Sequence, residues 1–204
     1  MSVAYLSTAY LAPVQYYSKL NSFENIYIET EENYQKQTYR NRCMIATANG
    51  VQALTVPVEK PEGLKALTRD VRISNHGNWR HLHWNALVSA YNMSPFFEYF
   101  ADDFRLYYEK KYIFLIDFNN DLQCTICNLL DISPEIIYTG KYESSVENDF
   151  RNVIDPRHPQ PDKTFTPRPY YQVFRERHGF IPNLSIVDLL FNMGPESIFL
   201  LLAR

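Results

Sequence analysis

Two residues of this chain sit where their chemistry is expensive: a histidine, His83, on an apolar helical stripe with Trp79, Ala86 and Ala90, and an aspartate, Asp188, inside a run of Leu, Ile, Val and Phe. A titratable ring on an apolar face needs a partner. His83 is therefore either a hydrogen-bonded core histidine or an acid/base or ligand-orienting group of a cleft. Asp188 stands in one polar line with Ser185 and Asn192, at i, i+3 and i+7. That line is either the wet edge of an amphipathic helix with a Ser185/Asp188 capping box, or a polar face on which Asp188 holds a histidine or a substrate hydroxyl. A third group lies in the polar, cationic, aromatic stretch from Asn33 to Arg42. There Lys36 and Arg42 are able to grip an anion, Arg42 through its planar fork, with Tyr39 and Asn41 beside them; the plainer reading is a solvated turn. Each group breaks a local packing rule, as functional sites commonly do. The expectation is one cleft in which His83 and Asp188 are catalytic and Lys36, Tyr39, Asn41, Arg42, Trp79 and Asn192 bind substrate.

Other patterns carry less. Cys124 and Cys127 have redox C-x-x-C spacing, but they fall inside an expected helix, whereas a redox pair sits where a strand enters a helix. Two ordinary thiols are expected, without disulfide or metal. His81 and His83, two apart on a helix, point to nearly opposite faces and do not share an ion. No P-loop, G-x-G-x-x-G, G-x-S-x-G or H-E-x-x-H pattern occurs. No metal or cofactor is expected.

These residues need a mixed α+β scaffold to position them. Val3 to Ser7 and Ile26 to Glu29 read as strands around a helix opened by Pro13 and running to about Leu20, a β-α-β start without a glycine-rich turn. Arg42 to Thr47 and Val51 to Val58 flank Asn49-Gly50 and predict a hairpin whose two turn residues take positive φ. Arg69 to Ile73 suggests a further strand. Asn78 caps a helix to about Tyr91; Ser94-Pro95 opens a second, with Phe97, Phe100, Phe104 and Tyr107 on its inner face; a third runs from Tyr112 to Leu130. Seven of the twelve prolines fall between Ser133 and Asn183, so residues 155–169 are expected to be a long loop. A helix ending at Asn192, a break at Gly194-Pro195 and a last turn or two complete one domain over residues 1–204, with a possible smaller lobe around 133–204.

Composition sets the outer bounds. Net charge is −3 and no Lys or Arg run exceeds the pair Lys110-Lys111, so the electrostatic footprint of nucleic-acid binding is absent. The start lacks a signal-peptide pattern and no long apolar stretch occurs, which predicts a cytoplasmic location without stable membrane insertion. The surplus of 16 Tyr and 13 Phe suits a large core, an interface or a stacking cleft, of which the core is the commonest use.

Taken in order, Tyr10 to Tyr17, Lys36 with Asn41-Arg42 before Leu54 to Val58, then Trp79, His83, Tyr91 and Pro95, then Leu184 to Asn192 with Gly194, resemble the WbqC-like family nearly end to end. The segment from Pro134 to Pro169 departs from that pattern by being short. The resemblance implies a protein encoded beside surface-polysaccharide (O-antigen-type) enzymes, a transferase moving an amino-acyl group such as glycine, or another acyl group, onto a sugar carried by a nucleotide or lipid pyrophosphate. In that reading Lys36 and Arg42 hold anionic oxygens and His83 takes the acceptor proton. The competing class is a non-catalytic protein that binds a sugar, a nucleotide or a partner.

Overall fold

The computed structural model describes residues 2–60 and 66–202. Strand β1 (Val3–Ser7) passes through helix α1 (Val14–Ser22) to β2 (Asn25–Glu29), which lies parallel to it with Tyr5 opposite Tyr27. Alternation decides the faces. Ala4, Leu6, Ile26 and Ile28 are buried in the core, while Tyr5 and Tyr27 stack at 4.9 Å on the other face. Pro13 stands just before α1 with φ −68°, already suited to a helix start.

The antiparallel hairpin of β3 (Arg42–Thr47) and β4 (Gly50–Thr55) forms, but its turn lies one residue earlier than Asn49-Gly50. Thr47 pairs with Gly50, so Ala48 and Asn49 make the bend. Gly50 alone takes positive φ, +103°, as the first residue of the returning strand. The threonine before the bend holds it, since Asn49 N–H donates to Thr47 Oγ1, which itself donates to the Gly50 carbonyl. The strand expected at Arg69 to Ile73 is instead a 3-10 turn, Thr68–Asp70, followed by single bridges of Arg72 to Phe114 and Ile73 to Val58.

Three helices follow: α2 (Trp79–Tyr91), α3 (Phe97–Glu109) and α4 (Leu115–Leu129). The inner face of α3 ends on Tyr108 rather than Tyr107. Helix α4 starts at Leu115, later than Tyr112, because the Leu115 N–H is drawn to the Val71 carbonyl. Beyond α4, the proline-rich region contains an element its prolines conceal: β5 (Glu135–Tyr138), which pairs parallel with β2 and gives the sheet order β1-β2-β5. On the other side of β1, the Tyr5 N–H and carbonyl bond Asn148 and Phe150.

The short α5 (Arg175–His178) docks on the hairpin tip, where Arg177 and His178 donate to the carbonyls of Thr47 and Ala48. Helix α6 (Ile186–Met193) is buried along nearly all of its length, and α7 (Ser197–Leu201) packs against α1. Phe191 of α6 meets Tyr91, Phe97 and Phe104 edge-on or tilted at 5.1 to 5.4 Å. Truncating such a ring costs about 3 to 5 kcal/mol. The aromatic surplus is thus chiefly core, and most of the buried tyrosine hydroxyls find partners: Tyr16 on Gln123, Tyr112 on Asp121, Tyr170 on Asp188.

Candidate functional site

Parallel sheets bind ligands beyond the carboxyl ends of their strands. Here that end is filled. Arg40 forks onto Glu32 at 2.7 and 2.6 Å and reaches Ser7, the last residue of β1, at 2.8 Å. Arg151 bonds Glu29, the last residue of β2, at 2.8 Å and Asp149 at 2.6 Å. Both guanidiniums are almost fully buried, and the residual space between them is about 10 Å³, room for one water rather than a substrate. These buried pairs fasten the crevice shut.

The helical layer offers a different place. His83 is only 6% exposed, its Nδ1 3.0 Å from the hydroxyl of Tyr10, which is in turn 2.8 Å from the hydroxyl of Tyr108. Trp79 stands edge-on to the imidazole at 5.1 Å, and Phe118 closes the cage against Tyr10 and Trp79. Burial pulls the pKa of His83 down to about 4, with the Thr55 backbone acting weakly the other way, so the ring is neutral at pH 7. With Nδ1 unprotonated, Tyr10 donates to it and Tyr108 donates to Tyr10; with Nδ1 protonated, the ring donates to Tyr10 and Tyr10 to Tyr108. Burial raises the pKa of both phenols well above the ordinary value, so both keep their protons.

Tyr108 also forms part of the wall of a surface cleft of about 560 Å³, the size of a small-molecule site. From α2 the cleft takes Arg80, His81, Trp84 and Asn85; from the end of α3, Arg105 and Glu109 with Lys111 beyond; and from the loop before α2, Asn75, Gly77 and Asn78. The Arg80 guanidinium lies 4.6 Å above the Trp79 ring, and burial lowers its pKa. Its Nη1 reaches Asn75, while its Nη2 is shielded from water and has no partner among the described residues.

The structure gathers some of the residues singled out from sequence and separates others. Trp79 and His83 touch, and Arg42 flanks the same Thr55 as His83, its Nε donating to Thr55 Oγ1 at 3.0 Å. Tyr39 joins through its carbonyl, which accepts the Tyr10 N–H. Asn41 lies beside it as a clamp, exchanging bonds with both backbone groups of Val56. Lys36 is exposed, with no ion pair among the described residues. Asp188 belongs to another network: it accepts from Tyr170 at 2.6 Å and Gln172 at 2.8 Å, with Tyr91 close by but out of hydrogen-bond geometry. Tyr91 lies eight residues beyond His83 on α2, roughly 12 Å along the axis, so Asp188 does not meet the imidazole. Burial raises the Asp188 pKa. Ser185 forms no capping box; its hydroxyl donates to the Leu11 carbonyl, and the Asn192 amide donates to the Asp188 carbonyl.

Tyr10, Tyr108, Arg80 and Trp84 were missed. Arg80 and Trp84 are spaced i, i+4 and so share a face of α2, a signal present in the sequence. Tyr10 and Tyr108 are 98 residues apart, and nothing local joins them.

The WbqC-like protein family model matches residues 8–159, three quarters of the chain and all of the cage and cleft residues. The chain belongs to the WbqC-like protein family. It is also similar to the Uncharacterized protein Rv1507c of Mycobacterium tuberculosis strain H37Rv, with 26% identity over 223 residues, covering 96% of this chain and 95% of that one. No solved structure matches it. Among the described residues no helix is long and apolar enough to cross a membrane, and no group of three His, Cys, Asp or Glu side chains is placed to hold a metal ion. The three cysteines of this WbqC-like chain are free thiols: Cys124 exposed, Cys43 and Cys127 buried.

Proposed function

We propose that this WbqC-like protein is a transferase of surface-polysaccharide synthesis that moves an amino-acyl group, such as glycyl, or another acyl group onto a sugar hydroxyl held in the α2–α3 cleft. The observation that carries this reading is the chain Tyr108–Tyr10–His83, which runs from the cleft wall to a neutral imidazole. Tyr108 Oη is buried in the resting protein, so the wall must part to bring the sugar hydroxyl against it. As the sugar oxygen then attacks the acyl carbon, its proton passes to Tyr108 Oη, the Tyr108 proton to Tyr10, and the Tyr10 proton to Nδ1 of His83. The leaving group of the activated donor then recovers a proton from the imidazolium by the same path. His83 thus keeps its role as proton acceptor, acting through two tyrosines, and Arg42 orients the imidazole's neighbour Thr55. The experiment is turnover of activated acyl donors with nucleotide-linked sugars, comparing the wild-type protein with Tyr108→Phe. Transfer that falls at least about a hundredfold in the variant, with the melting temperature kept, supports the reading. Transfer at the wild-type rate defeats the relay.

A second reading has its own observation. A base with a pKa near 4 holds a proton poorly, which favours a binding protein without turnover. Ligand-induced stabilisation without conversion of any donor would select it.

A further inference from the structure

The cationic side of the cleft has charge that the protein does not neutralise. Of the cleft's three cations, Arg105 is paired with Glu109 at 2.7 Å. Arg80 and Lys111 have no acidic partner among the described residues, in a chain whose net charge is −3. The Arg80 Nη2 is itself closed off by protein, so an anion in the cleft would accept from the rest of this guanidinium, which has no carboxylate partner among the described residues. The amino end of α2 lies at the same place. Asn78 starts the helix through its carbonyl alone, its side chain making no cap, so the first-turn N–H groups are left to another acceptor. Gly77, at φ +74°, brings the backbone in without a side chain in the way. Beside these cations stands a planar wall: the half-buried indole of Trp84, braced by the ring of Phe97 at 6.1 Å and by Tyr108 at 5.9 Å.

From this juxtaposition we propose that the cleft binds a nucleoside diphosphate, the carrier half of a nucleotide-linked sugar. Arg80, Lys111 and the amino end of α2 hold the two phosphates, and Trp84 stacks the planar base. Asn75, Asn78 and Asn85 give the remaining wall amide donors and acceptors suited to ribose and sugar hydroxyls and unsuited to a prenyl chain. Tyr108 in the same wall then lies beside the acceptor sugar. The inference rests on the proposed function only for that sugar; the diphosphate site stands or falls on binding.

The test is isothermal titration of the full chain with UDP, GDP, ADP and dTDP, against uridine, inorganic pyrophosphate and farnesyl pyrophosphate. At least one nucleoside diphosphate should bind, more tightly than pyrophosphate and at least about tenfold more tightly than uridine, and binding should weaken as salt is raised. Lys111→Ala, an exposed change that leaves the fold intact, should weaken it about tenfold, and Arg80→Ala at least as much. No binding by any of the four nucleotides, or binding untouched by Lys111→Ala, overturns the proposal. Farnesyl pyrophosphate binding as well as the best nucleotide overturns the assignment of Trp84 to a base and gives the site to a lipid carrier. Nucleotide binding sensitive to Lys111→Ala without any acyl transfer keeps this site and removes the transferase reading. Acyl transfer insensitive to Lys111→Ala does the reverse.

Discussion

The Nδ1 of His83 stands 3.0 Å from the hydroxyl of Tyr10, and that one contact joins the second helix to the loop that leaves the first strand. It also makes the fold sensitive to acid. The folded ring titrates near 4 because it is buried, below the ordinary 6.5, so the unfolded chain takes up the proton first. This stabilisation is complete above about pH 6.5 and is lost as pH falls towards 4, on the order of 3 kcal/mol in all. Asp188, whose burial raises its pKa, pulls in the opposite direction. Urea unfolding at about pH 7 and about pH 4.5 should show His83→Phe losing less stability between the two than the wild-type protein. Equal losses would mean that the folded ring titrates at its ordinary value and that burial does not shift it.

Asp188 is expected to be a tie rather than a reagent. Its carboxylate collects Tyr170 and Gln172 from the proline-rich segment and fastens them to α6. Asp188→Ala leaves the buried Tyr170 hydroxyl without an acceptor and Gln172 with only the Ile181 carbonyl, and should cost about 3 kcal/mol by denaturant unfolding, while nucleotide affinity measured below the transition is unchanged. A variant of wild-type stability that no longer binds would restore Asp188 to the site.

The loop of residues 155–169 is pinned by Lys19, whose ammonium is 2.6 Å from Asp162 and 2.6 Å from the Thr164 hydroxyl, with Gln15 donating to the same carboxylate. Lys19 is 1% exposed, and burial lowers its pKa despite its partner. Asp162→Ala strands that charge, and the loop should become the first site of limited trypsin cleavage. Pairing Lys19→Met with Asp162→Leu should restore protection, because an apolar pair carries no unpaired charge.

The thiols should separate by reactivity. Burial pushes Cys127 up to about 12 and Cys43 higher still, while Cys124 lies on the open side of α4. One thiol should react with a chromogenic disulfide in the folded protein and all three in denaturant. Fast reaction of two would show that α4 frays at Cys127.

The legible parts of this chain were those with a short-range period. β1, the hairpin strands and α2 to α4 announce themselves through alternation or a helical stripe, and their observed bounds lie within a few residues of that pattern. Asn49-Gly50 marked the bend, yet the pairing of Thr47 with Gly50 put only glycine in the left-handed region, because the strand needed that twist at its first residue. β5 stayed hidden: Glu135–Tyr138 is four residues long beside Pro134 and is a strand only because β2 offers it an edge from more than a hundred residues away. The site divided the same way. His83 drew notice because a local rule was broken, whereas its partners Tyr10 and Tyr108 lie 73 residues before it and 25 after and look locally like ordinary core tyrosines.

The start of α1 is stitched to the start of α6: Val14 N–H bonds the Leu184 carbonyl, Ile186 N–H bonds the Ala12 carbonyl, and Pro13 lies opposite Ser185. The first helix of the chain is therefore completed by nearly its last. During vectorial synthesis this stitch closes only once residues beyond 186 have left the ribosome. A fragment cut at residue 159, where the family match ends, would carry every cage and cleft residue and still lack the stitch that follows Tyr10 at residues 12–14. Reading a ligand from such a piece would mistake a chain waiting to close for a protein that does not bind.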